Sequence, residues 1–329
     1  MNVLVTGAGS QLGKCLRDLY ESVKVQRPYY CDEWTFCDHK ELDITDKKQI
    51  EIAFDKYMPD VVVNCAAYTN VDGAEDDFLT CNRVNCFGVQ NLLEVCQDNK
   101  AFLIAISTDY VYKFPESLEY LDNVTNRYSK LGLELYARKE EDALDPQSNY
   151  ALSKWMMETI VNKCKGAMIV RTSWLYSQYG HNFMKTIVKK IKQNEDLRVV
   201  DDQIGRPTNA NNLAEFILFG VIANRNFNVE NDCETYNFQD SGIAASWYDF
   251  ACEIKRIWND EICIYRNEFS DSKIESINAQ QCERKARRPY YSVLDISKAS
   301  NLMKPKYWKF SLKELMLNTY LKEEKESLS

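Results

Sequence analysis

Val5-Thr6-Gly7-Ala8-Gly9-Ser10-Gln11-Leu12-Gly13 joins a short apolar run, Asn2–Val5, to an amphipathic stretch, Gln11–Tyr20. The three glycines sit in the first turn, between the first candidate strand and the first candidate helix, in a chain with only 11 glycines. A strand–glycine turn–helix of this kind lets the backbone bend sharply, approach a pyrophosphate closely and pack helix on strand. The helix start supplies N–H donors and the positive end of its dipole. Gly7, Gly9, Ser10, Gln11, Leu12 and Gly13 are therefore candidate dinucleotide-binding residues. The spacing is G-x-G-x-x-x-G, one residue longer than the usual G-x-G-x-x-G.

Working outward, short apolar runs alternate with longer amphipathic ones. Asn2–Val5, Thr35–Cys37, Val61–Asn64, Phe102–Ile106 and Met168–Arg171 read as strands; Gln11–Tyr20, Lys47–Tyr57, Thr80–Gln97 and Ala151–Lys163 read as helices. Val61–Val63 and Phe102–Ile106 are almost continuously apolar, as strands covered on both faces are. In Ala151–Lys163, Leu152, Met156 and Ile160 repeat at helical spacing and predict an inward stripe. The alternation predicts an α/β fold: a Rossmann-type, doubly wound parallel sheet over residues 1–172. A smaller mixed α/β substrate domain follows over 173–329, with later segments returning to the first. Lys113–Asp142 interrupts the alternation and reads as an insertion, and Lys322–Ser329 as a charged, frayed tail.

Composition narrows the function. With 41 Lys+Arg against 49 Asp+Glu the net charge is −8, which disfavours a nucleic-acid partner. At 45% hydrophobic and 27% charged the chain can build a core. The nearest approach to an apolar span, Ala214–Ala223, is too short to cross a membrane. The 12 cysteines include no C-x-x-C pair, and two histidines cannot build a multi-His site, so no metal is expected. Met1–Thr6 reads straight into a strand without the charged start of a secretory signal; a reducing cytoplasm is the expected compartment.

Two further groups carry chemistry. Asp38, at the end of the second strand, is placed for an adenosine ribose and favours NADH. Its neighbours His39 and Lys40 suit a 2′-phosphate and favour NADPH, so both cofactors stay open. Tyr150 and Lys154 stand four apart at a helix start and share a face. The lysine is expected to lower the tyrosine pKa and make it a usable general acid. Tyr20 and Lys24 have the same spacing but read as surface residues. Thr108, at the polar exit of Phe102–Ile106, faces the crevice at the carboxyl ends of the strands. Thr108, Tyr150 and Lys154 together read as a carbonyl-reduction triad.

Eight motifs then carry a resemblance along nearly the whole chain. They are V-T-G-A-G-S-Q-L-G at 5–13, L-D-I-T-D at 42–46, P-D-V-V-V-N-C-A-A-Y-T-N-V-D at 59–72, S-T-D-Y-V-Y at 107–112, Y-A-L-S-K at 150–154, R-T-S-W-L-Y at 171–176, D-Q-I-G-R-P-T at 202–208 and A-R-R-P at 286–289. The chain resembles the extended short-chain dehydrogenases/reductases and, within them, the dTDP-4-dehydrorhamnose reductases. The resemblance implies reduction of the C4 ketone of dTDP-4-dehydro-β-L-rhamnose to dTDP-β-L-rhamnose by NAD(P)H. It implies a proton from Tyr150, Lys154 on the nicotinamide ribose and Thr108 on the carbonyl. It places Asp43 and Ile44 near the adenine, Ala66, Ala67 and Tyr68 along the cofactor, and Asp109 and Tyr110 against the sugar. Trp174 would meet the thymine, and Arg206 and Arg288 the diphosphate.

Three departures stand out. Ser10 replaces the middle glycine of the family turn. Some members dimerise through magnesium held by glutamates; Glu195 and Glu314 match two of these positions, but Cys15 occupies another, and a thiol is a poor magnesium ligand. A monomer or metal-independent homodimer is expected. The span from Thr108 to Tyr150 is long, the excess lying mostly in Lys113–Arg138. Two rivals share the scaffold: a non-catalytic, dinucleotide-binding regulatory protein like the β subunit of methionine adenosyltransferase, and another nucleotide-sugar reductase or epimerase.

Overall fold

The computed structural model describes residues 1–27, 32–113, 136–225, 227–266 and 268–321. Most of the expected insertion and all of the tail Lys322–Ser329 lie outside them. Six parallel strands form the main sheet: β1 Asn2–Thr6, β2 Glu33–Cys37, β3 Val61–Asn64, β4 Phe102–Thr108, β5 Ala167–Thr172 and, arriving late, Glu234–Asn237. Their order across the sheet is Glu234–Asn237, β5, β4, β3, β1, β2. Side chains alternate across it. Val3, Val5, Val63 and Ile104 pack against α1 (Gln11–Gln26) and the helical segment Ala210–Ile222. Leu4, Val62, Leu103 and Ala105 face α2 (Lys47–Tyr57), α3 and α4. Here α3 is the composite of Phe78–Asn82, a π-helical turn Arg83–Phe87 and Gly88–Asp98, and α4 is Asn149–Val161. Apolar residues on both faces make the sheet the core of a doubly wound α/β fold.

Two expectations are corrected. The stripe Leu152, Met156, Ile160 is only half-buried; α4 turns Ala151, Lys154, Met157, Glu158 and Val161 inward instead. Its inward polar groups all find partners: Lys154 at the Ile106 carbonyl, Glu158 at Arg171 and Ser153 at Asn85. Hydrogen bonding, not apolar spacing, sets that face. Tyr20 is buried rather than superficial, stacked 5.6 Å from Trp34, and receives a 3.2 Å hydrogen bond from Lys24 Nζ.

Among the described residues of the rest of the chain there are three small sheets: Ala245–Ser246, Ile204–Gly205 and Tyr291–Ser292; Ile274–Ile277 with Leu197–Val200; and Leu175–Tyr176 with Thr208–Asn209. Helices Phe183–Lys192, Trp247–Ile257 and Trp308–Tyr320 enclose a second core around Ile187, Phe250, Ile254, Trp258 and Leu312. No helix among the described residues is long and apolar enough to cross a membrane.

Candidate active site

The glycine turn separates two needs. Gly7 has φ +61° and a Cβ there would stand 2.3 Å from the Ala66 nitrogen; one on Gly13 would stand 2.6 Å from the Gly7 carbonyl oxygen. Both are demanded by the chain itself. A Cβ on Gly9 would meet nothing nearer than the Asp38 Cβ at 3.9 Å. Gly9 thus leaves open a space beside Asp38, over the start of α1. Ser10 caps that helix, its hydroxyl accepting from Gly13 N at 3.1 Å. The Gln11 side-chain oxygen is taken by Ser177 and Asn182, so the groups Gln11 and Leu12 have left to offer at the helix start are their backbone N–H groups.

Asp38 Oδ1 accepts from the backbone N–H groups of Lys40 (2.8 Å) and Glu41 (3.2 Å), which fixes the carboxylate at the end of β2. His39 and Lys40 are exposed, His39 lying 3.9 Å from Asp43. Burial works against the Asp43 charge, but hydrogen bonds from the Thr45 N–H and hydroxyl carry it below the usual carboxylate range. Ile44 packs so closely on α3 that a Cβ on Gly88 would come within 2.7 Å of it. At the end of β3, Ala66 N donates to Asn64 (3.2 Å), Ala67 is exposed, and Tyr68 N donates to Asn85 Oδ1 at 2.8 Å.

Thr108, Tyr150 and Lys154 converge at the carboxyl end of β4. Ser148 caps α4 and places Tyr150 in its first turn, with Lys154 one turn later. The Lys154 ammonium is 3% exposed and donates to the Ile106 carbonyl at 3.0 Å; burial lowers its pKa to about 8. The expected lowering of Tyr150 by Lys154 is overturned. Burial raises the phenol well above its usual value, the Asp109 charge raises it further, and the Thr108 hydroxyl is what pulls it down. Asp109 is itself buried and pushed up to about 7, eased by the Ser292 and Thr108 hydroxyls. Tyr110 meets Tyr150 edge-on, ring centres 5.7 Å apart.

Sequence reasoning missed Asn85. Buried in the π-helical turn, it accepts from Tyr68 N and donates to the Tyr68 carbonyl (3.0 Å) and to Ser153 Oγ (3.0 Å). Ser153 in turn donates to the Tyr150 carbonyl at 2.7 Å. Asn85 thereby ties the β3 loop to the first turn of α4. A polar residue inside an apolar helix was its only signal.

A cleft of about 330 Å³ opens from Tyr110 toward the second half, lined by Trp174, Trp247, Arg198, Arg284 and Arg288 among others. Trp174, at φ +48°, stacks on Trp247 at 3.7 Å, and a Cβ on Gly205 would lie 2.6 Å from its indole. The glycine of D-Q-I-G-R-P-T is thus required by the tryptophan of R-T-S-W. Arg288 grips Asp72 through two hydrogen bonds of 3.0 and 2.6 Å, which holds Asp72 at about 2. Arg206 is buried, with Nη1 3.5 Å from the Leu294 carbonyl oxygen, and is not part of the cleft lining. Cys15 is buried, and burial raises its thiol to about 12. Among the described residues no three metal-ligating side chains converge.

The chain matches the family model of the RmlD substrate binding domain over residues 1–321. It is 32% identical over 323 residues to the spore coat polysaccharide biosynthesis protein SpsK of Bacillus subtilis, covering 95% of this chain and 96% of that protein. It is 32% identical over 317 residues to a dTDP-4-dehydrorhamnose reductase of Aggregatibacter actinomycetemcomitans, covering 95% and 97%. The crystal structure of dTDP-4-dehydrorhamnose reductase from Bacillus anthracis in complex with NADP matches with a TM-score of 0.76 at 28% identity, covering 97% of this chain and 99% of that one. With the glycine turn, the Thr108–Tyr150–Lys154 set and full-length similarity in agreement, the chain belongs to the RmlD family of dTDP-4-dehydrorhamnose reductases.

Proposed function

We propose that this protein reduces the C4 ketone of dTDP-4-dehydro-β-L-rhamnose to dTDP-β-L-rhamnose, a step that supplies cell-surface polysaccharide. The observation that carries the reading is the convergence of Thr108, Tyr150 and Lys154 at the end of β4, on the same carboxyl edge of the sheet as the glycine turn. The space over Gly9, the first-turn N–H groups of α1 and the fixed Asp38 carboxylate suit a dinucleotide. NADPH or NADH, when bound, supplies the hydride.

The chain's own residues supply the rest. Tyr150 keeps its proton at neutral pH, because burial disfavours the phenolate, and gives it to the ketone oxygen. Thr108 hydrogen-bonds the same oxygen. Lys154, still mostly an ammonium at neutrality, takes the nicotinamide ribose, with Ala66, Ala67, Tyr68, Asp43 and Ile44 along the cofactor. Trp174 and Trp247 form the aromatic wall for the thymine. Arg284 and Arg198, with Arg288 braced by Asp72, serve the diphosphate. Arg206, buried at Leu294, is left out of that set. Residues 1–172, with the returning segments Ala210–Ile222 and Glu234–Asn237, form the cofactor half, and most of the remainder forms the substrate half. The molecule works as a monomer or a metal-independent homodimer.

The test mixes purified protein with dTDP-4-dehydrorhamnose and each reduced nicotinamide, following absorbance loss and identifying the product. Consumption of neither coenzyme would sink the reading.

A further inference from the structure

Thr108 has one hydroxyl proton and three oxygens that compete for it. The structure gives it to Asp109 Oδ1 at 3.1 Å. The Tyr150 phenol is a second claimant, and the proposed reaction adds the ketone oxygen. Thr108 Oγ1 also accepts the Tyr110 N–H at 3.3 Å. A hydroxyl offers one donor and two lone pairs, while an ionised carboxylate only accepts. An ionised Asp109 therefore withholds from the ketone the one proton Thr108 can offer.

The surroundings of Asp109 do not favour that ionised form. The side chain is 2% exposed, and the side chains that ease its charge are neutral hydroxyls, those of Thr108 and Ser292. The groups facing it are Tyr110 on its own turn, Tyr150 from α4 and Ser292 from Tyr291–Ser292, none of them a cation. Arg288 and Arg284 act on Tyr110, but Arg288 is engaged by Asp72 and Arg284 donates to Gln203, and neither acts on Asp109 itself. A buried carboxyl with no positive partner holds its proton to unusually high pH, here to about 7.

Building on the proposed reaction, we propose that Asp109 is a positioning residue that works in its neutral form. As an acid it donates to Thr108 Oγ1 and turns the Thr108 proton outward to the substrate ketone. Its own proton stays with it through the turnover, so no net transfer passes through Asp109. Deprotonation reverses the hydrogen bond and removes the Thr108 donor from the reaction.

The test is the pH profile of kcat for the wild type and for Asp109→Asn. The asparagine side chain donates from Nδ2 as the neutral acid does, but cannot ionise. Wild-type kcat is expected to fall about tenfold per pH unit above the Asp109 midpoint. The variant is expected to lose that limb and keep only the later one set by Lys154. A variant with the wild-type limb in place would overturn the inference. Infrared difference spectra read the same group without turnover: buried Asp240 also holds its proton to about 7, so the wild type minus Asp109→Asn difference should contain the carbonyl stretch of one protonated carboxyl below neutrality and lose it above. An Asp109 carboxylate band throughout would equally overturn it. Absence of any ketone reduction by the wild type, with the infrared band still titrating, would count against the reaction and not against the state of Asp109.

Discussion

Tyr150 is held protonated by its surroundings, and this makes its replacement diagnostic. Tyr150→Phe preserves the ring that meets Tyr110 and deletes only the donor, so turnover should fall by about 10²–10⁴-fold. Coenzyme affinity, read by fluorescence titration, should stay near wild type; unchanged kcat would remove Tyr150 from its role. The glycines make a sharper pair. Gly7→Ala drives a Cβ into the Ala66 backbone at a positive φ and should leave little folded protein. Gly9→Ala meets no protein atom closer than 3.9 Å, so it should melt as the wild type does yet bind coenzyme more weakly. Equal coenzyme binding in Gly9→Ala would show that the space over Gly9 is not the dinucleotide site. Asp38, at the same end of the sheet, is the proposed discriminator between coenzymes. Because its carboxylate repels a 2′-phosphate and exposed Lys40 attracts one, the preference should be under tenfold, about 1.4 kcal/mol. Asp38→Ser should then raise kcat/KM for NADPH relative to NADH, and an unmoved ratio would point to Lys40.

Within α4, one face carries both chemistry and architecture. Arg171 on β5 pairs with Glu158 at 2.7 Å, with both side chains buried, and donates to the Tyr112 hydroxyl at 2.7 Å and the Glu140 carbonyl at 3.0 Å. Removing one member strands the other charge in the interior. Glu158→Ala should therefore cost about 3–5 kcal/mol in urea unfolding, far more than an exposed pair would. A loss under about 1 kcal/mol would mean that Arg171 is fully held by its neutral partners. The same helix shows what the sequence could reveal. Tyr150 and Lys154 were readable because their relation is local, one helical turn apart. The strands were readable because burial on both faces demands unbroken apolar runs such as Val61–Val63. The inward face of α4 was misread because Ser153, Lys154 and Glu158 are buried by partners distant in sequence, at residues 85, 106 and 171. Asn85 was missed because a π-helical turn has no spacing signature of its own. The Asp72–Arg288 grip joins residues 216 apart, a distance no local pattern spans.

Across the whole molecule, Cys15, which stands where the family resemblance would put a magnesium-binding glutamate, is a buried and protonated thiol. Chelation with EDTA should thus alter neither activity nor sedimentation; a dimer that dissociates would contradict this. The late arrival of Glu234–Asn237 at the sheet has a consequence of another kind. Until that strand pairs with β5, the Ala167–Thr172 edge has open N–H and C=O groups on an apolar strand. About sixty residues separate the two, so at about 5–20 residues per second a ribosome leaves this edge uncovered for several seconds in every molecule made. During that interval the nascent chain presents a template for strand addition that the finished protein no longer has. Chaperone demand during synthesis should accordingly be concentrated between the emergence of Thr172 and that of Asn237.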